Sequence, residues 1–179
     1  HLIAGTDHGY GIWKLADGAK LTDLAGSGSH FGSLSNDGRL FAALEGRAIK
    51  ILEVETRRIV QQLDVPHHFA WGEFSSKDRQ FAAASYQSVR IWQMGQELPV
   101  ATLPGRGPIA FVSSDDSESL VYASDGYVRF FDIRNRTETY SFPGSRFGDI
   151  SHSKETIAVL REEPQEIRLY DISSSQLVE

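Results

Sequence analysis

The feature that most constrains the fold of this chain is a repeat of about 40 residues. Pentapeptides centred on a large apolar residue recur as GIWKL, KILEV, RIWQM, RFFDI and RLYDI. Their central residues lie 39, 40, 39 and 39 positions apart; these anchor residues are Trp13, Leu52, Trp92, Phe131 and Tyr170. A second motif, FGSLS, WGEFS, IAFVS and FGDIS, precedes four of them at nearly the same spacing. Two separate motifs with one period indicate a chain built from repeated structural units.

Each repeat is predicted to hold four short β-strands, a to d. Strand a is the FGSLS-like motif, strand b is a small-residue segment such as LFAAL or QFAAA, and strand c contains the anchor. Strand d is expected at 20–24, 59–63, 100–103 and 139–142. Turn residues separate these segments, and no stretch combines helical periodicity with helix caps. Four strands per 40 residues predict an all-β fold, a β-propeller of four-stranded antiparallel blades.

Over essentially its whole length the chain resembles the WD-repeat β-propeller family. FSSKDRQFAAAS followed by VRIWQM is similar to that family's strands a, b and c. Phe131 and Tyr170 are each followed by aspartate, as in its Trp-Asp dipeptide, whereas the first three anchors are not. Only Asp7 and Asp125 stand at the place of the family's turn aspartate. The repeats are therefore degenerate, and the resemblance implies a scaffold for protein interactions.

The period divides residues 1–179 into one β-propeller region. Five blades are expected, at about 1–28 (without strand a), 29–66, 67–107, 108–146 and 147–179. Members of the family usually close with about seven blades, and a blade without a neighbour exposes an apolar face. We therefore expect part of a larger, about seven-bladed propeller, completed by further blades or by another subunit. A distorted five-bladed ring is the alternative.

Composition limits the chemistry of the chain. It carries 18 basic and 24 acidic residues, a net charge of −6, so binding to nucleic acid or to a membrane is not expected. It has no cysteine, which excludes thiolate nucleophiles and cysteine zinc sites and fits a reducing, cytoplasmic location. No catalytic triad, carboxylate pair or cofactor motif can be assembled. We expect no catalytic residue, no metal and no cofactor.

The N-terminal stretch HLIAGTDHGYGIW places an acid beside a histidine, between glycines. A metal or catalytic site would need further partners for Asp7 and His8. The repeat instead predicts a b-to-c turn over residues 5–11, in which Gly9 and Gly11 permit positive φ. We interpret the pair as part of this turn.

Two other stretches resemble sites and are better explained as connections. His67 and His68 are adjacent on an extended segment, so their side chains point to opposite faces and cannot share a metal. The segment GSGSH at 26–30 lacks the lysine of a phosphate-binding loop and the spacing of nucleotide-binding motifs. It is predicted to connect strand d of one blade to strand a of the next.

The binding face is predicted from the geometry of propellers. In the family the d-to-a and b-to-c loops lie on one face, where partners commonly bind, and arginine and tyrosine are enriched at interface hot spots. We expect Arg47, Arg106 and Arg146 to form a basic patch for an acidic peptide or protein segment; scattered solvated arginines are the alternative. Carried onto this chain, the face holds His8, Tyr10, Arg47, His67, His68, Tyr86, Arg106, Tyr127 and Arg146.

The sequence therefore predicts a WD-repeat-like scaffold, without enzymatic activity, that binds a protein or peptide through this loop face. Two alternatives place the same propeller in a larger protein. It would then be a sensor or regulatory module, or an accessory domain of a hydrolase whose catalytic residues lie elsewhere.

Overall fold

A computed structural model describes residues 2–6, 9–25, 32–65, 69–113, 118–151, 153 and 155–178, and within them every regular element is a β-strand. No helix of this part is long and apolar enough to cross a membrane. The strands are β1 (Leu2–Thr6), β2 (Gly9–Trp13), β3 (Lys20–Ala25), β4 (Gly32–Leu34), β5 (Leu40–Glu45), β6 (Ala48–Glu53), β7 (Ile59–Asp64), β8 (Trp71–Phe74), β9 (Gln80–Ala84), β10 (Ser88–Gln93), β11 (Ala101–Pro104), β12 (Arg106–Ser113), β13 (Glu118–Ser124), β14 (Tyr127–Asp132), β15 (Thr137–Pro143), β16 (Arg146–Ile150), β17 (Thr156–Arg161) and β18 (Glu166–Asp171).

The strands of the described residues form five antiparallel sheets in chain order. Sheets 2, 3 and 4 are four-stranded and contain β4–β7, β8–β11 and β12–β15, while sheet 1 (β1–β3) and sheet 5 (β16–β18) have three strands. Within each sheet, every strand pairs with the next one along the chain, as expected when short turns join them. The all-β prediction is confirmed, and the fold is β-propeller-like.

Sheet 3 shows why these segments form strands that pack on both sides. In its register Ala82 lies opposite Ile91 and Ala84 opposite Val89, and all four pack against sheet 4. The alternate positions, which include the Trp92 anchor, pack against sheet 2. Successive side chains of a strand point to opposite faces, and here both faces are apolar. Such a sheet is stable only between two neighbours.

The repeated anchor is the residue that fills each gap between sheets. Trp92, 1% exposed, lies in the cluster between sheets 2 and 3. Phe131 lies between sheets 3 and 4, and Tyr170 between sheets 4 and 5. Leu52 packs on the cluster that joins sheets 1 and 2. The period of the sequence is therefore the period of the sheet gaps.

The serine that ends the second motif closes the turn between strands a and b. The hydroxyl oxygens of Ser35, Ser75 and Ser151 each accept a hydrogen bond from the backbone N–H five residues later, at 2.8, 3.1 and 3.0 Å. A short polar side chain that bonds nearby backbone favours a turn over continued strand. The repeated serine is thus a turn residue.

Side-chain carboxylates link neighbouring sheets at these a-to-b turns. Asp78 of sheet 3 accepts hydrogen bonds from the backbone N–H groups of Asn36 and Asp37 in sheet 2, at 2.8 and 3.0 Å. Glu118 of sheet 4 accepts one from the backbone N–H of Ser76 at 2.7 Å. Hydrogen bonds to an ionised acceptor are among the stronger ones. This edge of the sheets is therefore occupied by structural contacts.

The first hairpin differs from the prediction of a turn over residues 5–11. β1 pairs with β2 on either side of positions 7 and 8, so most of that range is strand. Gly9 has a positive φ of 143°, but Gly11 does not. Gly11 is required for another reason: a Cβ there would lie 2.2 Å from the Trp13 ring, which folds back over it.

The aspartates that follow the last two anchors close c-to-d turns. Asp132 is buried and accepts hydrogen bonds from the backbone N–H and the side-chain amide of Asn135, at 2.7 and 3.2 Å. Asp171 accepts from the Ser173 hydroxyl and from the N–H and hydroxyl of Ser174, at 2.7–2.8 Å. The bond from the Ser174 N–H contributes most to lowering the pKa of Asp171 to about 2. These residues are local turn acceptors.

The turn at Asp171 is expected to make stability depend on pH. The folded pKa of about 2 lies below the ordinary 3.8. Ionised Asp171 therefore stabilises the fold above about pH 4, and this contribution is lost as the pH falls towards 2. Thermal midpoints of the wild type and Asp171→Asn should differ most near pH 6 and converge near pH 2. A difference that stays constant across this range would contradict the assignment.

Gly144 lies where sheets 4 and 5 approach each other closely, and substitutions there test this contact. A Cβ at this position would lie 2.2 Å from Val159 Cγ1 and 2.8 Å from the Leu160 carbonyl oxygen. Gly144→Ala should therefore lower the free energy of unfolding by about 1–3 kcal/mol, as overpacking does. Gly148→Ala is the matched control, since its Cβ would have 3.9 Å to the nearest atom and should change stability by less than about 0.5 kcal/mol. Urea unfolding, monitored by tryptophan fluorescence, measures the stability of both variants. Equal unfolding midpoints for Gly144→Ala and Gly148→Ala would refute the close approach.

Candidate functional site

The loops predicted to carry the binding face are fixed by a recurring backbone hydrogen bond. In sheets 2, 3 and 4 the chain that leaves strand d donates an N–H to a carbonyl in the b-to-c turn of the same sheet. The bonds, donor first, are Val65 to Arg47, Gly105 to Gln87 and Gly144 to Gly126, at 2.9, 3.3 and 2.8 Å. Both kinds of loop therefore lie at one edge of each sheet, which we call the loop face.

Two of the predicted residues share a cleft on this face. Tyr86 and Arg106 line a cleft of about 390 Å³ between sheets 3 and 4, together with the turn residue Asp125. The Arg106 guanidinium donates to the carbonyl of Ser145 at 3.2 Å, which ties it to the next connection. Tyr86 is 72% exposed, and its ring meets Trp71 edge to face with the centroids 5.3 Å apart. The cleft thus combines an exposed aromatic ring, a positioned cation and a carboxylate.

The other two predicted arginines border different clefts. Arg146 lies beside a mainly apolar cleft of about 440 Å³ that Trp71 also lines. Arg47 lines a cleft of about 470 Å³ between sheets 2 and 3, with Asp64 and Arg90. The three arginines are therefore distributed over three clefts. Arg90 was absent from the sequence-based set of face residues.

Tyr10 is a core residue, in contrast to its predicted place on the binding face. It is 8% exposed, and its ring packs against Phe41 with the centroids 5.2 Å apart. The reason is the alternation of β2, which directs this side chain towards sheet 2. Tyr127 is exposed at the start of β14, where its ring lies 5.7 Å from the Arg129 guanidinium carbon. The remaining predicted positions, Asp7, His8, His67 and His68, lie outside the described residues.

A network that the sequence did not predict lies in sheet 4. Arg129 forms a short ion pair with Glu138 and a second, longer ion pair with Asp125 at 3.9 Å. Tyr122 donates its hydroxyl to Glu138 at 2.9 Å; burial, followed by this carboxylate, raises the pKa of Tyr122. The hydrogen bond to Glu138 also raises the pKa of Arg129. Each charge has an opposite partner within one sheet, as in a structural ion pair.

The described part of the chain holds no group of three His, Cys, Asp or Glu side chains placed to bind a metal ion. The polar groups on the loop face are instead arginines, tyrosines and one carboxylate in each of two clefts at the gaps between sheets. This set of side chains can bind through stacking and charge-assisted hydrogen bonds.

No family model matches this chain, and no curated protein matches it in sequence. Among solved structures it is similar to the hydrazine synthase of Kuenenia stuttgartiensis, with 13% sequence identity and a TM-score of 0.65. The match covers 83% of this chain and 47% of that chain, so this chain spans about half the length of the matched protein. Similarity at this level of identity is a similarity of fold, in agreement with the β-propeller-like arrangement of antiparallel sheets.

Proposed function

We propose that this chain is a non-catalytic, WD-repeat-like scaffold that binds an acidic segment of a protein or peptide through its loop face. The observation that carries the proposal is the cleft between sheets 3 and 4, where exposed Tyr86 and Arg106 lie together. Tyrosine and arginine are the residue types that most often dominate binding energy at interfaces. A cleft that presents both to solvent suits a protein ligand.

The two side chains are held in place before any ligand binds. Tyr86 packs on the ring of Trp71, which in turn lies so close to Gly107 that a Cβ there would be 2.3 Å from it. Arg106 is tied to the carbonyl of Ser145 and has further N–H donors for a bidentate carboxylate. Immobilising fewer side chains on binding lowers the entropic cost. Preorganisation therefore favours recognition at this cleft.

Charge narrows the choice of ligand. The net charge of −6 disfavours nucleic acid and gives no long-range attraction to an acidic protein, so the attraction must be local to the arginines. Asp125 exposes a second, negative group in the same cleft. A segment that brings a carboxylate to Arg106 and a neutral donor or a cation to Asp125 fits best. The expected partner is a protein segment of mixed charge with exposed acids.

A charge reversal on the loop face tests this function. Arg47→Glu combined with Arg106→Glu should weaken binding of fluorescein-labelled Glu- and Asp-containing peptides at least about tenfold, since charge-assisted hydrogen bonds are replaced by repulsion. Fluorescence anisotropy at constant salt gives the affinities. Arg134→Glu is the control, because this exposed residue lies in a c-to-d turn, away from the loop face. Unchanged binding by the double variant, or an equal loss in the control, would refute the proposal.

A further inference from the structure

The c strands of sheets 2 to 5 share a basic residue two positions before the anchor. These residues are Lys50, Arg90, Arg129 and Arg168. Three of them are neutralised by a carboxylate of their own sheet. The pairs are Lys50 with Glu45 and Arg168 with Glu166, both at 2.7 Å, and Arg129 with Glu138. In three of these four sheets, the basic residue at this position therefore forms an ion pair within the fold.

Arg90 is the exception. Its guanidinium forms no ion pair or hydrogen bond with the described residues, and its Nε is buried without a partner. Buried polar groups in native proteins nearly always have a partner, and an unsatisfied charged donor costs more than a neutral one. A group that remains unsatisfied inside the fold is a candidate for a bound ligand.

The neighbouring strand explains why Arg90 lacks an internal partner. In sheet 4 the partner of Arg129 is Glu138, near the start of β15. In sheet 3 the corresponding strand, β11, has the sequence ATLP and contains no acid; Thr102 lies opposite Arg90, as Ser141 lies opposite Arg129. A threonine cannot neutralise a guanidinium. The sequence of β11 therefore leaves a positive charge available in the gap between sheets 2 and 3.

The Arg90 side chain lines a cleft in that gap. Its cross-strand neighbour Ala83 belongs to the cluster that packs on sheet 2, so Arg90 faces sheet 2. There it borders a cleft of about 470 Å³ with Arg47, Asp64 and Val65, which we call the Arg90 cleft. Arg47 and Val65 belong to the loops that form the loop face. Two guanidinium groups from two sheets thus border one cleft on this face.

We propose that the Arg90 cleft binds the side-chain carboxylate of an acidic peptide segment, with the unpaired guanidinium of Arg90 as the cationic partner. The acidic peptide rests on the proposed function, whereas the carboxylate chemistry rests on the cleft itself. Arginine suits this role because its planar guanidinium matches a carboxylate with two parallel hydrogen bonds. The ligand supplies the negative charge that Glu138 supplies in sheet 4.

Asp64 sets the charge that the cleft accepts. Its carboxylate lines the same cleft and forms no ion pair with Arg90. A second negative charge in the ligand would be repelled by Asp64, so a single carboxylate is favoured over a dianionic phosphate. Replacing Asp64 with asparagine removes this repulsion. In Asp64→Asn the cleft is therefore expected to bind anions more tightly and to discriminate less between a carboxylate and phosphate.

The first test observes the Arg90 Nε–H directly by ¹H–¹⁵N NMR. Its resonance, identified by its loss in Arg90→Met, should shift on titration with sodium acetate and shift less with inorganic phosphate. In Asp64→Asn both titrations should reach saturation at lower concentration. An Arg90 resonance that responds to neither anion, in the wild type or in Asp64→Asn, would overturn the proposal.

The second test separates binding from a structural role. Arg90→Met should weaken binding of the labelled acidic peptides about 10–100-fold, the effect of losing a hydrogen bond to a charged group. Its melting temperature should stay constant or rise, because an apolar side chain replaces an unsatisfied donor. Arg129→Met, the matched control with a paired guanidinium, should melt about 2–4 °C lower.

The outcomes distinguish this inference from the proposed function. If Arg47→Glu with Arg106→Glu abolishes peptide binding while Arg90→Met leaves it unchanged, the loop face binds acidic peptides and the Arg90 cleft does not take part. If acetate shifts the Arg90 resonance but no acidic peptide binds, carboxylate binding by the Arg90 cleft is supported and the proposed function is refuted. A lower melting temperature in Arg90→Met, equal to that of Arg129→Met, would make Arg90 structural and overturn the inference.

Discussion

The packing of one sheet against the next is the interaction on which the rest of this structure depends. Sheet 3 contributes small and β-branched side chains such as Ala82 to one gap and its large anchor, Trp92, to the other. Both are almost completely buried. Burying a large apolar side chain stabilises a fold by roughly 1.5–3 kcal/mol, and a sheet with two apolar faces gains this only between neighbours. Sheet packing therefore makes every repeat depend on the adjacent one.

This dependence is why the fold could be predicted from the sequence. Each gap is filled in part by a large residue of strand c, and this residue recurs every 39 or 40 residues. The turn serines recur because each a-to-b turn makes the same local hydrogen bond. Strand d of sheet 2, predicted at 59–63, lies at Ile59–Asp64. Period and local turn chemistry determine all of these features within one repeat.

The candidate site was less predictable because its features depend on contacts between repeats. Tyr10 lies within the turn predicted over residues 5–11 and on the predicted binding face, yet Phe41 of the next sheet covers its ring. Arg90 and Arg129 both follow a valine and precede the anchor by two positions, but strand d supplies an acid only to Arg129. The acid comes from a different strand in each sheet, since Lys50 pairs with Glu45 of strand b and Arg168 with Glu166 of its own strand c, so the repeat pattern alone does not identify Arg90 as the unpaired member. Predicting that the three loop-face arginines lie in separate clefts would have required knowing how the sheets are arranged.

The loop face combines a fixed backbone with variable side chains. Backbone hydrogen bonds such as Val65 to Arg47 hold each pair of loops, so side chains at the gaps between sheets can differ without altering the loops. Sheet 3 has the Arg90 cleft on one side and the Tyr86–Arg106 cleft on the other. Packed sheets lie about 10 Å apart, and an extended peptide advances about 3.3 Å per residue. Two side chains of a bound peptide that reach the two clefts would therefore lie about three residues apart. Under the proposed function, a short acidic segment lying across sheet 3 would gain from both contacts at once, since the second contact follows the first within one complex.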